Sequence, residues 1–379
     1  MRLLHVCRTL NPEFGGPPDS VRMFCAAHLR AGNEVEVTSL DDPAAEYSRI
    51  EGVEVHAFGP CRANYFYAPA LEKWLSENCR RFDGIIVNGI WQYHSLAARR
   101  AIAGQVPYVV FTHGMLDPYF NHRYPLKYLK KLAYWTFYEH QTLSRAQAVC
   151  FTSAEEMRVA AGGLPFRDFR GVVIPYGTMG PPETDPAVLR ESFFAAYPQL
   201  RGQRYLLYLS RIHPKKGCDL LVEAFARVAP PDVQLVMAGP DSDGWGAELR
   251  GLASQLGIAS RVHWTGMIRG DEKWGAFYGA EAFVLPSHQE NFGIAVADAL
   301  SCGVVPLISD KVNIAPDVAA DGAGLMEADT LQGTIRLLER FWGMSGGQRA
   351  TMQASGLECF RRRYALSTSA QAVYRALGL

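Results

Sequence analysis

Short runs of apolar residues alternate with helical patterns from the start of the chain. Residues 3–7 form an apolar run, and the helix that we predict over 20–31 has buried-type residues on one face, at Val21, Phe24, Cys25 and His28. Further strands of this half are predicted at 34–39, 53–56, 84–88, 108–112, 148–152 and 171–175. Because strands separated by helices are joined by right-handed crossovers, this order predicts a parallel sheet.

A Gly- and Pro-rich break at residues 180–186 separates this pattern from a second one of the same kind. The strands predicted in the second half lie at 205–210, 234–238, 261–265, 282–286 and 304–308. We therefore predict an α/β protein with two doubly wound, Rossmann-like domains and a ligand cleft between them. The predicted division is a first domain 1–178, a linker 179–203, a second domain 204–362, and a C-terminal helix 363–379 that packs back on the first domain.

Composition and charge exclude several classes of protein. The chain has 379 residues, of which 48% are hydrophobic and 20% charged, so it can bury two cores and is not a disordered protein. Its 38 basic and 38 acidic side chains cancel, so the overall charge does not favour a nucleic-acid partner. With no long apolar run and no secretory signal, we expect a cytoplasmic protein. The eight cysteines are scattered without a CxxC pair and are expected to be buried thiols.

The most informative segment is residues 287–303. Glu290 lies in a loop after a strongly apolar strand, Gly293 opens a helix, and Asp298 lies inside that helix. Two carboxylates at this spacing are separated by up to about 12 Å along a helix axis, which suits hydroxyls on two sugars joined by a diphosphate. The amides of Gly293 and Ile294 would then face the phosphates at the positive end of the helix. A pair of solvated acidic residues is the alternative.

A pair of cations follows the first strand of the second half. Arg211 and Lys216 lie where that strand ends and a helix begins. Charges at the carboxyl end of a buried strand cost free energy unless an anion meets them, so a phosphate ligand is favoured over a solvated basic turn. Lys215 is expected to be solvated.

Two positions in the first half also favour a ligand. The paired glycines Gly15 and Gly16 follow the first strand and would let a phosphate or sugar approach the backbone, although they do not form a GxGxxG fingerprint and an ordinary tight turn is the alternative. His113 ends a strand at the edge of the sheet where sites form, and a purely structural histidine is the alternative.

Residues 290–303 resemble the Glu-x7-Glu signature of retaining glycosyltransferases of family 4, the glycosyl transferases group 1, which have the GT-B fold. Arg211 and Lys216 are similar to the family's Arg-x4-Lys-Gly element. Gly16 and His113 match its glycine loop and its first-domain histidine. Asp298 departs from the pattern, because the family usually has Glu at this position.

The resemblance implies transfer of a hexose from a nucleotide sugar to an acceptor hydroxyl with retention, in polysaccharide or glycolipid biosynthesis. It implies that Glu290 and His113 act on the sugar as catalytic residues, that Arg211 and Lys216 hold the diphosphate, and that Asp298 contacts the ribose. The remaining implied donor-binding residues are Gly16, Asn291, Phe292, Gly293 and Ile294. The resemblance implies no metal and no bound cofactor, since the nucleotide-sugar donor is consumed as a substrate.

Other readings of the sequence stay open. An epimerase of the same fold that acts on nucleotide sugars, and a non-catalytic module that binds nucleotide sugars or glycans, share the motifs; Asp298 is what supports the second. Asp241 and Asp243 form an Asp-x-Asp, for which a turn or capping role is favoured over a metal site. Tyr176 stands where the family often has Asn and is predicted to be structural, with a contact to the donor as the alternative.

A basic and aromatic stripe lies in the first half, between residues 119 and 138. On a helix, Lys127, Lys131 and two tyrosines would share one face, with Lys130 close by. This stripe predicts contact with a glycan or lipid-linked acceptor, or with the inner face of a membrane. A packed helix with a solvated basic edge is the equal alternative.

Overall fold

The computed structural model of the protein describes residues 1–61, 65–117, 125–162, 164–165, 168–242 and 244–379, with the backbone alone for 125–127. These residues form two compact units. The first comprises Met1–Gly177 with Leu366–Leu379, and the second comprises Thr178–Ala365. The chain therefore passes from one unit to the other twice, whereas the sequence analysis placed the divisions at 178, 203 and 362.

The first unit is built on a seven-stranded parallel sheet of order β3-β2-β1-β4-β5-β6-β7. Its strands are β1 (Arg2–Cys7), β2 (Glu34–Ser39), β3 (Glu54–Ala57), β4 (Gly84–Asn88), β5 (Tyr108–Phe111), β6 (Ala148–Phe151) and β7 (Gly171–Val173). Every strand predicted in this half is present, with boundaries within two residues. The central strands are buried along their whole length, as expected for a sheet covered on both faces.

Helices cover the faces of this sheet. They are α1 (Gly16–Arg30), α2 (Pro69–Asn78), α3 (Tyr93–Ile102), α4 (Pro125–Tyr134), α5 (His140–Ser144) and α6 (Ala154–Ala160). The four residues predicted to share the inner face of α1 are all buried. A π-helical turn, Trp135–Glu139, joins α4 to α5 and turns Trp135 and Glu139 into the core.

The second unit contains a six-stranded parallel sheet of order β10-β9-β8-β11-β12-β13. Its strands are β8 (Arg204–Leu209), β9 (Val233–Ala238), β10 (Val262–Gly266), β11 (Ala282–Leu285), β12 (Val305–Ser309) and β13 (Leu325–Glu327). Its helices are α7 (Pro186–Ala196), α8 (Cys218–Val228), α9 (Gly246–Gln255), α10 (Gly270–Gly279), α11 (Ile294–Ser301), α12 (Ala315–Ala320), α13 (Leu331–Gly343) and α14 (Gly346–Cys359). The sequence analysis missed β13, a three-residue edge strand.

The segment expected to be a linker, 179–203, contains a helix of the second unit. Asp185 caps α7 by accepting a 2.8 Å hydrogen bond from the amide of Ala187, and Leu189 and Phe193 are fully buried. An added Cβ at Gly275 of α10 would lie 2.0 Å from the main-chain oxygen of Leu189, so the two helices pack at the distance that only glycine permits. The buried apolar face of α7 makes this segment part of the second unit. The Pro-rich sequence before the helix had led to the prediction of a linker.

The last helix, α15 (Leu366–Leu377), belongs to the first unit. Its inner face is buried, and the Tyr374 hydroxyl lies 2.7 Å from Nδ1 of His28 and 2.9 Å from Nδ2 of Asn33. An added Cβ at Gly177 would lie 2.3 Å from the Cα of Leu366, so the two ends of the first unit's chain are in close contact. These contacts attach the last helix to α1 and to the loop after it.

Two further expectations concern cysteines and membranes. All eight cysteines are free thiols, and six of them are buried as predicted, whereas Cys61 and Cys302 are partly exposed. Among the described residues, no helix combines the length and apolar character needed to cross a bilayer.

Candidate functional site

The predicted donor residues of the second unit lie in the loops that follow β8 and β11. These strands are neighbours at the point where the strand order of the sheet changes direction, which is where open α/β sheets bind ligands. The main-chain oxygen of Lys215 accepts hydrogen bonds from Ser287 Oγ at 3.0 Å and from the amide of His288 at 2.8 Å. Gly217 has a φ of +64°, and an added Cβ there would lie 2.2 Å from the oxygen of Pro286. Glycine at 217 therefore lets the two loops meet.

This contact between the loops brings two predicted site residues together. Nζ of Lys216 lies 2.5 Å from Oε2 of Glu290 and donates a 3.3 Å hydrogen bond to the oxygen of Gln289. The Lys216 side chain is almost fully buried, whereas that of Glu290 is partly exposed. The backbone of Glu290 is fixed on both sides, because its amide donates to Lys311 and its oxygen accepts from Asn313, each at 3.0 Å. The pair is thus a fixed cation and anion at the carboxyl end of the sheet.

Arg211 follows β8 directly and has an exposed side chain. Within the described part of the chain, its guanidinium makes no hydrogen bond or ion pair that would neutralise it. As expected from the sequence, Lys215 is exposed, whereas Lys216 is not. An exposed arginine and a nearly buried lysine in the same loop after β8 suit an anionic ligand such as a diphosphate.

Helix α11 begins as the sequence predicts. Gly293 is its N-cap residue with a φ of +84°, and Ile294 is its first residue. The first amides of a helix have no acceptor inside it, so they and the helix dipole favour an anion there. Asn291 accepts a 3.3 Å hydrogen bond from Nδ2 of Asn313, and Phe292 is buried with its ring edge-on to that of Tyr364. Phe292 is therefore placed to support the loop through packing.

Asp298 lies inside α11, as predicted, but its carboxylate is occupied. Oδ1 accepts a 2.7 Å hydrogen bond from Oγ1 of Thr178, and Oδ2 lies 2.7 Å from Nζ of Lys273. The side chain is only 2% exposed, compared with 24% for Lys273. The contact with ribose implied by the resemblance stays a prediction, and both protein partners of Asp298 were missed from the sequence.

In the first unit, His113 follows β5 and has a φ of +50°, in the left-handed region. Its Nδ1 is hydrogen-bonded to the hydroxyl of Tyr176, and its Nε2 is buried without a partner among the described residues. Burial lowers the pKa of His113 to about 3, with a smaller contribution from His94. The imidazole is therefore neutral at physiological pH.

A buried carboxylate fixes the loop that carries His113. Glu156 accepts hydrogen bonds from Oγ1 of Thr112 at 2.8 Å and from the amide of Gly114 at 2.7 Å, on either side of the histidine. It also accepts from both the amide and the hydroxyl of Thr152, at the end of β6. Glu156 thus ties two neighbouring strand ends together, a role that the sequence did not reveal.

Gly16 begins α1, and Gly15 before it has a φ of +78°. An added Cβ at Gly16 meets no described atom within 4 Å, so the space beside it is open. Pro17 and Pro18 follow at once and have no amide hydrogen, so Gly16 is the first of few donors at this helix start.

Comparison with known proteins identifies the family. Residues 190–336 match the family model of the glycosyl transferases group 1, and residues 15–177 match that of the glycosyl transferase 4-like domain. The chain belongs to the group 1 glycosyltransferases. This glycosyltransferase is 27% identical over 324 residues to the GDP-mannose:cellobiosyl-diphosphopolyprenol alpha-mannosyltransferase of Xanthomonas campestris, covering 82% of the chain and 79% of that relative. It is 35% identical to the D-inositol 3-phosphate glycosyltransferase of Actinosynnema mirum over 133 residues, 32% of each chain.

Solved structures confirm the GT-B fold of this glycosyltransferase. A glycosyltransferase from Rickettsia africae superposes with a TM-score of 0.78 at 14% identity, covering 99% of this chain and 98% of the other. HepE from Anabaena, solved in complex with UDP and glucose, superposes with a TM-score of 0.71 at 19% identity, covering 100% and 99%.

Within the described part of the basic stripe, Lys130 and Lys131 of the glycosyltransferase have different surroundings. Lys131 lies with Nζ 4.6 Å from the ring centre of Trp91 and 3.5 Å from the oxygen of Met115, and burial lowers its pKa. Lys130 is exposed, and the side chain of Lys127 lies outside the described residues. The exposed face of α4 and the turn after it instead carries apolar residues, with Leu129 65% and Phe137 66% exposed. We call Leu129, Lys130 and Phe137 the α4 surface.

Two groups of side chains in this glycosyltransferase carry atoms of the kind that bind metal ions. Both carboxylate oxygens of Asp241 accept from the amide of Gly246 at 3.1 Å, a capping contact at the start of α9, while Asp243 lies outside the described residues. Glu36, Glu54 and His56 have ligand atoms within 4.8 Å of one another, at the edge of the first sheet. Arg2 and Arg81 both bind Glu36 there, and two cations disfavour a third.

Proposed function

We propose that this glycosyltransferase transfers a hexose from a nucleotide sugar to a hydroxyl of a lipid-linked or glycan acceptor, with retention at the anomeric carbon, in polysaccharide or glycolipid biosynthesis. The relatives support this proposal through their names. The Xanthomonas campestris enzyme is named for GDP-mannose and for a diphosphopolyprenol acceptor, and the HepE structure contains UDP and glucose. The base and the sugar of the donor differ between these relatives, so the proposal specifies neither.

The observation that carries the proposal is the contact between Lys216 and Glu290 at the carboxyl ends of β8 and β11. A nucleotide sugar presents a diphosphate and, a few ångströms away, a sugar with several hydroxyls. A cation for the phosphate and a carboxylate for a hydroxyl, held side by side, match the junction between the two parts. Glu290 would accept a hydrogen bond from a sugar hydroxyl and favour the positive charge that grows on the sugar ring.

The negative charge that develops on the leaving diphosphate would be met by three groups. Arg211 supplies an exposed guanidinium, Lys216 supplies an ammonium, and the start of α11 at Ile294 supplies backbone amides. Interactions that strengthen as the diphosphate leaves lower the barrier, rather than only tightening donor binding.

His113 would contact the transferred sugar as a neutral hydrogen-bonding residue. Burial raises the pKa of Tyr176 well above that of an ordinary tyrosine, so its hydroxyl keeps its proton. When that hydroxyl donates to Nδ1 of His113, the ring proton lies on Nε2, which is then a hydrogen-bond donor. Tyr176 thereby acts as a positioning residue for His113.

The experiment that tests the proposal measures the release of nucleoside diphosphate from a panel of nucleotide sugars, with and without a polyprenyl-diphosphate-linked sugar. We expect slow hydrolysis of one donor alone, faster turnover with the acceptor, and a product with the donor's anomeric configuration. Conversion of the donor into another nucleotide sugar without acceptor would show the epimerase, and binding without turnover would show the non-catalytic module. Turnover that EDTA abolishes and magnesium or manganese restores would contradict the metal-free mechanism.

A further inference from the structure

The loops after β1 and β4 border a cavity in the first unit. These two strands are neighbours at the point where the strand order of the sheet changes direction, and open α/β sheets bind ligands in the crevice at this point. The cavity has a volume of about 70 Å³, enough for a small polar group. Its lining comes from the two loops, from the start of α1 and from the loop after β5, and includes Arg8, Thr9, Pro17, Gly89, Gln92 and Met115.

Arg8 brings a positive charge to this cavity. It follows β1 directly, and its side chain is half-buried. The guanidinium lies over two aromatic rings, 4.2 Å from the ring centre of Phe14 and 5.4 Å from that of Phe66. Among the residues that the structure describes, none forms a hydrogen bond or an ion pair with this guanidinium. The rings therefore hold the cation in place and leave its N–H donors unused.

The acidic residue whose charge acts most on Arg8 is Asp41, and both of its oxygens are occupied. Oδ1 accepts a hydrogen bond from Oγ1 of Thr9 at 2.5 Å, and Oδ2 accepts one from the amide of Leu10 at 2.7 Å. Burial lowers the pKa of Arg8, and Asp41 offsets only part of this effect. A guanidinium nevertheless keeps its proton, so its partial burial costs free energy that an anionic ligand would recover.

Asn88, the last residue of β4, also lines the cavity and has an unused polar atom. The residue is only 4% exposed, and its Nδ2 donates a 3.0 Å hydrogen bond to the oxygen of Ile86. Its Oδ1 is buried and has no hydrogen-bond partner in the described part of the chain. The cavity thus offers a cation and a hydrogen-bond acceptor. A ligand with a phosphate and a hydroxyl, such as a sugar joined to a phosphate, matches both.

The source of that phosphate follows from the distribution of charge. The diphosphate of the donor is already met in the second unit, where we propose that Arg211, Lys216 and the start of α11 hold it. Arg8 belongs to the first unit. An acceptor sugar joined to a lipid through phosphate brings negative charge of its own, whereas a glycan without phosphate brings none. A cation in the first unit therefore favours the acceptor that is linked through phosphate.

We propose that Arg8 binds a phosphate of the acceptor in the cavity between the loops after β1 and β4. This inference rests on the proposed function, since it concerns the acceptor of that reaction, and it selects an acceptor linked to its lipid through phosphate over a neutral glycan. A guanidinium presents parallel N–H donors that match two phosphate oxygens, and the rings of Phe14 and Phe66 restrict its orientation.

The test compares the affinities of geranyl diphosphate and geraniol for the full-length protein by calorimetry. A saturating concentration of GDP or UDP, whichever the wild type binds, keeps the lipid diphosphate out of the donor site. We expect the wild type to bind geranyl diphosphate at least about tenfold more tightly than geraniol, the size of one charge-assisted hydrogen bond. Arg8→Met should lose most of this preference, whereas Arg8→Lys should keep part of it, because it retains the charge without the planar group.

The matched control is Arg80→Met. Arg80 is an exposed arginine of the same unit whose Nε donates a 3.1 Å hydrogen bond to Oε1 of Gln105, and its loss should leave the preference unchanged. Melting temperatures of all variants separate a folding defect from a binding defect. If Arg8→Met loses affinity for geraniol as much as for geranyl diphosphate, Arg8 only shapes the cavity, and that result would overturn the inference.

The remaining outcomes distinguish the two sources of phosphate and the two proposals. If Arg8→Met weakens the binding of the nucleoside diphosphate alone and keeps the preference between the lipids, Arg8 meets the donor, and the inference is overturned. A wild type without a preference for geranyl diphosphate overturns the inference and leaves the proposed function standing, provided that it binds a nucleoside diphosphate and turns over a donor. A wild type that does neither contradicts the proposed function, and the inference fails with it.

Discussion

The ammonium of Lys216 and the carboxylate of Glu290 form a 2.5 Å ion pair between residues that are 74 positions apart in the chain. The pair gives each charge a partner, since Lys216 is nearly buried and would otherwise pay a desolvation cost. A diphosphate that binds Lys216 must therefore share the ammonium with Glu290. The free energy of weakening the ion pair therefore reduces the affinity for the donor. Substitutions of Lys216 and of Glu290 should consequently have different effects.

Removing either cation should weaken catalysis while the protein stays folded. A charge-assisted contact with a developing phosphate charge contributes about 2–4 kcal/mol, which is about thirty- to a thousandfold in rate. We expect losses in this range for Arg211→Ala and for Lys216→Ala, measured as kcat/KM with the donor that the enzyme uses. Lys215→Ala, an exposed neighbour, should stay close to the wild type. If Arg211→Ala and Lys216→Ala both keep near-normal activity, these two residues do not bind the diphosphate.

Changing the carboxylate should separate binding from chemistry. Glu290→Gln frees Lys216 from its ion pair and removes a negative charge that repels phosphate. We therefore expect this variant to bind free nucleoside diphosphate as tightly as the wild type or up to about tenfold more tightly, while kcat falls at least about tenfold. Calorimetry and steady-state kinetics measure the two effects. A parallel loss of nucleotide affinity and kcat would instead indicate that Glu290 holds the loop in shape.

The hydrogen bond between Tyr176 and His113 should matter for catalysis more than for folding. Tyr176→Phe removes the hydroxyl that sets the ring proton of His113, at a cost of about 1–1.5 kcal/mol, so kcat should fall about five- to tenfold. His113→Ala should have a larger effect, because it removes the donor itself. If Tyr176→Phe has the kcat of the wild type, the tautomer of His113 is set in another way.

The sequence predicted most of the fold because parallel strands buried on both faces have an unmistakable pattern. The boundaries of β2 and β4 were predicted to the residue. The three-residue strand β13 was missed because so short an apolar run has no period to recognise. The π-helical turn after α4 was missed for a related reason, since its one extra residue interrupts the regular helical period.

The site was predicted less completely, because motifs identify residues and not their partners. Arg211, Lys216 and Glu290 could be assigned to loops after β8 and β11 from local patterns alone. Asp298 pairs with Thr178, which is 120 positions away in the chain. This contact depends on how the whole second unit packs, so no local sequence pattern predicts it. The helix in the expected linker was hidden in the same way, since its burial depends on Gly275 of α10.

The first unit should lose stability in mild acid. Burial lowers the pKa of His28 and of His94 to about 4, and that of His113 to about 3, from an ordinary value of 6.5. Between pH 6.5 and about 4, these histidines therefore bind protons in the unfolded chain but not in the folded protein. Their contribution to the free energy of unfolding is fully present above pH 6.5 and falls as the pH decreases. Each histidine contributes about 1.4 kcal/mol per pH unit. Glu139, whose pKa is raised to about 7 by burial, offsets one of them.

Urea unfolding at about pH 7 and about pH 5.5 measures this loss. His28→Gln should reduce the pH dependence by about 1.4 kcal/mol per unit, because one of the titrating groups is gone. His288→Gln is the matched control, because it replaces a histidine whose side chain is exposed and paired with Asp329 at the surface. An unfolding free energy that does not change between the two pH values would contradict the buried, neutral state of these histidines.

The α4 surface leads to a different prediction for membrane binding from the one that the lysine stripe gave. Leu129 and Phe137 are each about two-thirds exposed and Lys130 is exposed as well, and exposed apolar side chains together with a cation suit the headgroup region of an anionic bilayer. We expect sedimentation with anionic liposomes at low salt and little with neutral ones. Phe137→Ser should weaken binding at every salt concentration, because it removes apolar area, whereas Lys130→Gln should reduce mainly the salt dependence. Val188→Ser, at an exposed apolar residue of the second unit, should have no effect.

Two outcomes would contradict insertion of the α4 surface into a bilayer. If Lys130→Gln abolishes binding and Phe137→Ser leaves it intact, the contact is electrostatic and the apolar side chains do not insert. If the wild type does not bind at low salt, the α4 surface contacts the acceptor or solvent instead.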